Sequence, residues 1–218
     1  MRIRRRSLTQ HGLAWLLAST VLTLGFQPAD VQAQGRNRDN WQRVPDIIAA
    51  LAIGTGSQVA DVGAGDGYFV GFLAEEVGAT GRVFAVDVSE RALSNLRRLI
   101  ENEGLENVEV VHSDYDDPKL PERMLDAVLI VTAYHEMTEY EAMLAGMLKA
   151  LKPGGRLVMI DHIPSDASDS RNRQTSDHDI GIDIVAPELE AAGFAVIERY
   201  EEFTGSGRSR QWMLVARR

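Results

Sequence analysis

Cysteine is absent from the 218 residues, and with it go disulfides, thiolate nucleophiles, Cys-based zinc sites and lipid attachment through Cys. Any chemistry must come from oxygen and imidazole groups. Basic charge is also scarce. Residues 1–33 hold four Arg and one Asp; the remainder sets 19 basic residues against 31 acidic ones, a net charge of −12. Neutralising phosphates takes a basic face, so the composition speaks against nucleic acid as a partner. No uncharged apolar run reaches the ~20 residues that cross a bilayer. The hydrophobic share of 44% and charged share of 25% are ordinary for a folded globular chain. No internal repeat or low-complexity tract appears, and the length suits one domain with a short appendage.

That appendage reads as an address. Arg2, Arg4, Arg5 and Arg6 precede the uncharged run Leu13–Phe26, the order of a secretory signal peptide. Val31-Gln32-Ala33 then predicts cleavage before Gln34, with no stable membrane insertion afterwards; the alternative is an uncleaved anchor. Arg5-Arg6-Ser7-Leu8 resembles the twin-arginine signature, although neither the usual aromatic nor a following Lys is present. That route carries folded, cofactor-loaded proteins, and the expected destination is the periplasm.

Residues 34–57 are expected to be a polar linker followed by a cap helix, Val44–Leu51, opened by Pro45. From residue 58 to 218, short β-branched runs alternate with amphipathic stretches. Strands are expected at 59–62, 82–88, 108–113, 125–131 and 156–161, with helices at 68–77, 91–103 and 139–151 between them. Such alternation predicts a doubly wound α/β fold with a mostly parallel sheet. The end differs: a helix at 187–192, a strand at 194–200, the short turn 204–208 and a last strand at 211–216. So short a turn joins only antiparallel neighbours, which gives a seven-stranded sheet ending in an antiparallel hairpin.

The sharpest motif is VADVGAGDGYF at 59–69, in which a buried strand runs into Asp61 and then Gly63, Gly65 and Gly67. Glycines there permit positive φ and let backbone N–H groups approach a ligand. A glycine-rich turn alone could serve NAD, a phosphate or nothing. Asp87, at the end of the second strand, stands where a carboxylate accepts both ribose hydroxyls of an adenosine. Ser113-Asp114 closes the third strand, where an adenine amino group would lie.

With LKPGGRLVMID at 151–161 and the terminal hairpin, these residues resemble class I S-adenosylmethionine-dependent methyltransferases over roughly 41–218. The resemblance implies S-adenosyl-L-methionine as cofactor. Gly63 and Gly65 would approach its methionine portion, Asp61 would help hold the amino end, Asp87 the ribose and Asp114 the adenine, and Tyr68 would start the following helix beside the cofactor. The dinucleotide fingerprint is G-x-G-x-x-G, whereas this loop is spaced G-x-G-x-G, and an NAD protein has no use for the hairpin. Methyltransferase therefore ranks above NAD-dependent oxidoreductase. A non-catalytic S-adenosylmethionine-binding protein of the envelope stands as the other alternative, since the cofactor is made in the cytoplasm.

Methyl transfer from a sulfonium depends mainly on positioning, and a base is needed when the acceptor must lose a proton. Tyr134, His135 and Glu136 follow the fourth strand and are the expected catalytic group: His135 as base, Tyr134 to orient the acceptor or shield the methyl group. The alternative is that Tyr134 packs and His135 caps the next helix. Asp161-His162 and Asp177-His178-Asp179 also carry chemistry, but in separate loops without H-x-x-x-H spacing, so no metal site is expected. Residues 165–179 are expected to be a solvated lid. Acidic charge and modest size favour a small-molecule methyl acceptor.

Overall fold

In a computed structural model of the chain, residues 42–218 are described; the expected signal peptide, 1–33, and linker, 34–40, lie outside the described residues. The elements are α1 (Val44–Leu51), β1 (Gln58–Val62), α2 (Val70–Val77), β2 (Arg82–Asp87), α3 (Glu90–Glu103), β3 (Val108–His112), β4 (Leu125–Val131), α4 (Tyr140–Ala150), β5 (Leu151–His162), α5 (Arg171–Ser176), α6 (Ile182–Ala191), β6 (Ala195–Thr204) and β7 (Gln211–Arg217). One seven-stranded sheet results, in the order β3-β2-β1-β4-β5-β7-β6. β7 runs antiparallel between β5 and β6, and the other pairings are parallel. The expected doubly wound sheet with a terminal hairpin is what forms.

Both faces of the central strands are covered, which is why β1, β2 and β4 read as nearly continuous apolar runs. Ala60, Val62, Phe84, Val86 and Val128 pack with α4 and α6 on one side. Val59, Val83, Ala85 and Leu129 pack with α1, α2 and α3 on the other. α1 is no detachable cap: Val44, Ile47 and Leu51 are buried, and the Arg156 guanidinium donates to the Ala50 carbonyl at 2.8 Å.

Three elements depart from expectation. α6 begins at Ile182, five residues before Pro187, because Ile182, Val185, Ala186 and Leu189 form a buried i, i+3, i+4, i+7 stripe that outweighs the proline within it. β5 begins at Leu151 and carries Pro153-Gly154-Gly155 inside it, with a register shift against β4 between Leu125 and Ala127. The expected lid contains α5, capped by the Ser170 hydroxyl. Its Arg171 stacks 3.9 Å over the Tyr140 ring and pairs with Glu188 at 2.8 Å.

Candidate functional site

The sheet order reverses between β1 and β4, and a cavity of about 450 Å³ opens at their carboxyl ends, the place where open α/β sheets hold ligands. The glycine loop forms one wall, and its three glycines differ in what a side chain would meet. A Cβ on Gly63 would sit 2.4 Å from the Ala133 Cβ, and one on Gly67 would sit 2.5 Å from Leu99 Cδ2. Only Gly65 faces open space, its nearest neighbour being the loop's own Gly63 carbonyl at 4.0 Å. Gly67 thus serves helix packing, away from the cavity wall.

The loop's N–H groups do not point at a ligand as expected. Gly63 and Ala64 donate to the Val86 carbonyl, at 2.9 and 3.0 Å, and Gly67 to the Ala64 carbonyl at 2.8 Å. Gly65 donates to Asp87 Oδ2 at 2.9 Å. The physical reason is that a loop lying flat against β2 satisfies its donors internally. A phosphate cradle needs those donors free.

Acceptors dominate instead. Asp61, Asp66, Asp87, Asp114 and Glu136 line the cavity, and no Lys or Arg does among the described residues. Gln42 joins them from the segment before α1; it is 7% exposed, and its Oε1 is buried without a hydrogen-bond partner. Burial, reinforced by the charges of Asp87 and Asp66, pushes the Asp61 carboxyl up to about 7. A cationic, donor-rich ligand would relieve both the orphaned amide oxygen and the crowded carboxylates.

Asp87 is in place at the end of β2, though its oxygens already accept from Gly65 and, at 2.8 Å, from Ser89. Each carboxylate oxygen keeps a second lone pair for a ligand hydroxyl. Ser113 is buried on the wall, and Asp114 reaches it while pairing with Lys119 at 2.8 Å. Tyr68 lies on the wall against Phe69 and Phe72, with ring centroids 4.9 and 5.6 Å away. Sequence reasoning missed Gln42, Met137, Met143 and Tyr115. The last is 69% exposed at the cavity edge, and its place directly after Ser113-Asp114 was the available signal. Thr132, also on the wall, holds φ +50°, a strained value for a β-branched residue.

The three expected catalytic residues separate. Tyr134 is fully buried in the core, and its hydroxyl donates to Glu188 Oε2 at 2.8 Å. Burial first, then Glu188, raises its pKa well above the tyrosine range, against the opposing Arg171. Tyr134 thus packs, as the structural alternative had it. Glu136 alone of the three lines the cavity.

His135 is buried behind it, Nδ1 bonded to Asp161 Oδ1 at 2.8 Å and its backbone N–H to Asp161 Oδ2 at 3.2 Å. Burial is the largest influence on that imidazole and lowers its pKa. The hydrogen bond and charge of Asp161, helped by Glu136 and Asp179, outweigh it and hold the ring above its ordinary value. The separate loops do converge: the His162 and His178 rings lie 6.4 and 5.8 Å from that of His135.

Residues 59–155 match the family model described as "Methyltransferase domain". The ubiquinone/menaquinone biosynthesis C-methyltransferase UbiE of Pseudomonas putida is 31% identical over 133 residues, 61% of this chain and 51% of that protein. The demethylmenaquinone methyltransferase of Listeria welshimeri is 31% identical over 121 residues, 56% of this chain and 50% of its own. The chain thus spans about half the length of these curated relatives. Among solved structures, an S-adenosylmethionine-dependent methyltransferase from Aquifex aeolicus superposes with a TM-score of 0.72 at 23% identity, covering 88% of this chain and 99% of that one. A protein from Bordetella parapertussis described as a possible exported protein superposes with a TM-score of 0.59 at 20% identity, covering 81% and 67%.

Proposed function

We propose that this chain, whose matches support a class I S-adenosylmethionine-dependent methyltransferase family, transfers a methyl group to a small-molecule acceptor. The cofactor is S-adenosylmethionine. The observation that carries the reading is the cavity's chemistry: five carboxylates and an orphaned amide oxygen, with the glycine-loop donors turned inward. That set suits a sulfonium and an ammonium and opposes the pyrophosphate of NAD. Asp61, Gln42 and the open Cα of Gly65 would receive the amino-acid end, Asp87 the ribose, and Ser113, Asp114 and Tyr115 the adenine.

When bound, the cofactor supplies a methyl carbon that accepts the acceptor's lone pair while the carbon–sulfur bond breaks and its electrons return to sulfur, leaving S-adenosylhomocysteine. The chain's own part is to fix direction and handle a proton. Met137 and Met143 give the far wall an apolar surface. Glu136 borders it and His135 stands behind with Nε2 3.8 Å from Glu136 Oε1, so a hydroxyl or amine acceptor would pass its proton to this pair. Tyr134 has no part in it. Among the described residues no inserted domain is present to dock a macromolecule, which favours a small acceptor.

Calorimetry on the full chain should show S-adenosylmethionine and S-adenosylhomocysteine binding and NAD failing to bind. Asp87→Ala should weaken the first two at least tenfold, since it removes charge-assisted bonds and frees the Gly65 N–H. Comparable affinity for NAD would sink the assignment, and release of labelled S-adenosylhomocysteine upon acceptor addition separates an enzyme from a binding protein. Export to the periplasm is the companion proposal, resting on the Arg-rich start and the Leu13–Phe26 run. Replacing Arg5 and Arg6 with Lys should strand the protein in the cytoplasm if the twin-arginine route carries it; unchanged export would point to the general route instead.

A further inference from the structure

We propose that His135, Glu136 and His178 form a binding site for one divalent first-row transition-metal ion, of which zinc is the probe, at the edge of the cofactor cavity. Each residue offers one ligand atom, and the three atoms lie within 4.8 Å of one another. First-row ions bind His nitrogen and carboxylate oxygen at ~2.0–2.2 Å, so the ligand atoms must draw in by about 1 Å. Glu136 and His178 are exposed and free to rotate by that much, while His135 is held still.

What holds it is the pattern that prepares a histidine for a metal. Asp161 is completely buried and takes three donors: the His135 ring at Nδ1, the His135 backbone N–H, and, at 2.8 Å, the His162 backbone N–H. With Nδ1 carrying the hydrogen, Nε2 presents its lone pair toward Glu136 and His178. A carboxylate behind the imidazole fixes its tautomer and raises its basicity as a ligand. His162, whose ring lies 6.4 Å from that of His135, stands outside this set of ligands. Asp179 adds negative charge within reach of both rings.

Two His and one carboxylate leave coordination positions open, as in catalytic rather than structural sites. His178 stands just beyond α5, so an ion here would also tie the 134–136 turn to the α5–α6 connection. Because Glu136 borders the cavity, an acceptor hydroxyl on an open position would be more acidic, and with His135 and Glu136 engaged as ligands its proton would leave to solvent in place of that pair. That consequence rests on the methyltransferase reading; the binding of the ion does not.

The test is calorimetric titration of chelator-treated full chain with zinc chloride, without cofactor. One ion per chain at micromolar dissociation constant or tighter is expected. His178→Ala and Glu136→Gln should each weaken it at least tenfold, and Asp161→Asn by about 10–100-fold. His112→Ala, removing an exposed histidine paired with Glu90, should leave it unchanged. Thermal melting of each variant reports whether the fold survives, and S-adenosylmethionine affinity serves as a second check for His178→Ala alone, since His178 lies off the cofactor cavity whereas Glu136 lines it. No zinc binding by the parent, or affinity unchanged in both His178→Ala and Glu136→Gln, would overturn the site. Zinc binding without S-adenosylmethionine binding would uphold the site and reject the methyltransferase reading.

Discussion

Asp61 shows how the site is held in tension with stability. Its carboxyl ionises near 7 in the folded chain and near 3.8 when unfolded, so the folded form binds more protons through that interval. Stability is therefore greatest below about pH 4 for this group and falls as pH rises toward 7. Asp61→Asn should abolish that slope and make the cofactor-free chain more stable at pH 8, by about 1–4 kcal/mol. The same substitution should weaken S-adenosylmethionine binding, and in the parent the affinity should rise between pH 6 and 8 as the carboxylate ionises. Thermal melts and calorimetry at the two pH values read both effects. A variant less stable than its parent at pH 8 would show that Asp61 is needed for packing instead.

Among the elements, α6 carries the clearest local conflict. Pro187 stands inside it and cannot donate to the Asp183 carbonyl one turn back, although the apolar stripe on either side holds the helix together. Pro187→Ala should raise the denaturant midpoint by the equivalent of about 1 kcal/mol, a helix-interior gain partly offset by a freer unfolded chain. A lowered midpoint would mean that the ring itself packs. Periodicity made α1, α3, β4 and the terminal hairpin legible in the sequence, because each follows from local spacing and turn chemistry. α6 was hidden behind Pro187, at which the expected helix began. The aspartates that line the cavity were legible because strand ends are local landmarks. The meeting of His135 with Asp161 and His178, 26 and 43 residues further on, depends on how β4, β5 and the loop after α5 stack, which no local pattern encodes. The inward donors of the glycine loop were likewise invisible, since their partners belong to β2 and to the loop's own turn.

At the scale of the whole molecule, the reversal in strand order brings the ends of β1, β2, β3 and β4 to one cavity, concentrating acidic side chains there in a chain whose residues after 33 already carry net −12. A cation approaching that field should bind more weakly as salt rises. S-adenosylmethionine affinity is expected to fall several-fold between 50 mM and 500 mM sodium chloride, as measured by calorimetry, while uncharged adenosine changes little; equal salt dependence would remove charge from the account. The contact of Gly63 with Ala133 carries this further. With room for no side chain between them, the glycine loop proposed to meet the cofactor and the turn that carries Glu136 press directly on one another. Neither can settle without the other. In kinetic terms the two ligands should then enter in sequence, cofactor first, and product-inhibition patterns should show S-adenosylhomocysteine competing with S-adenosylmethionine alone.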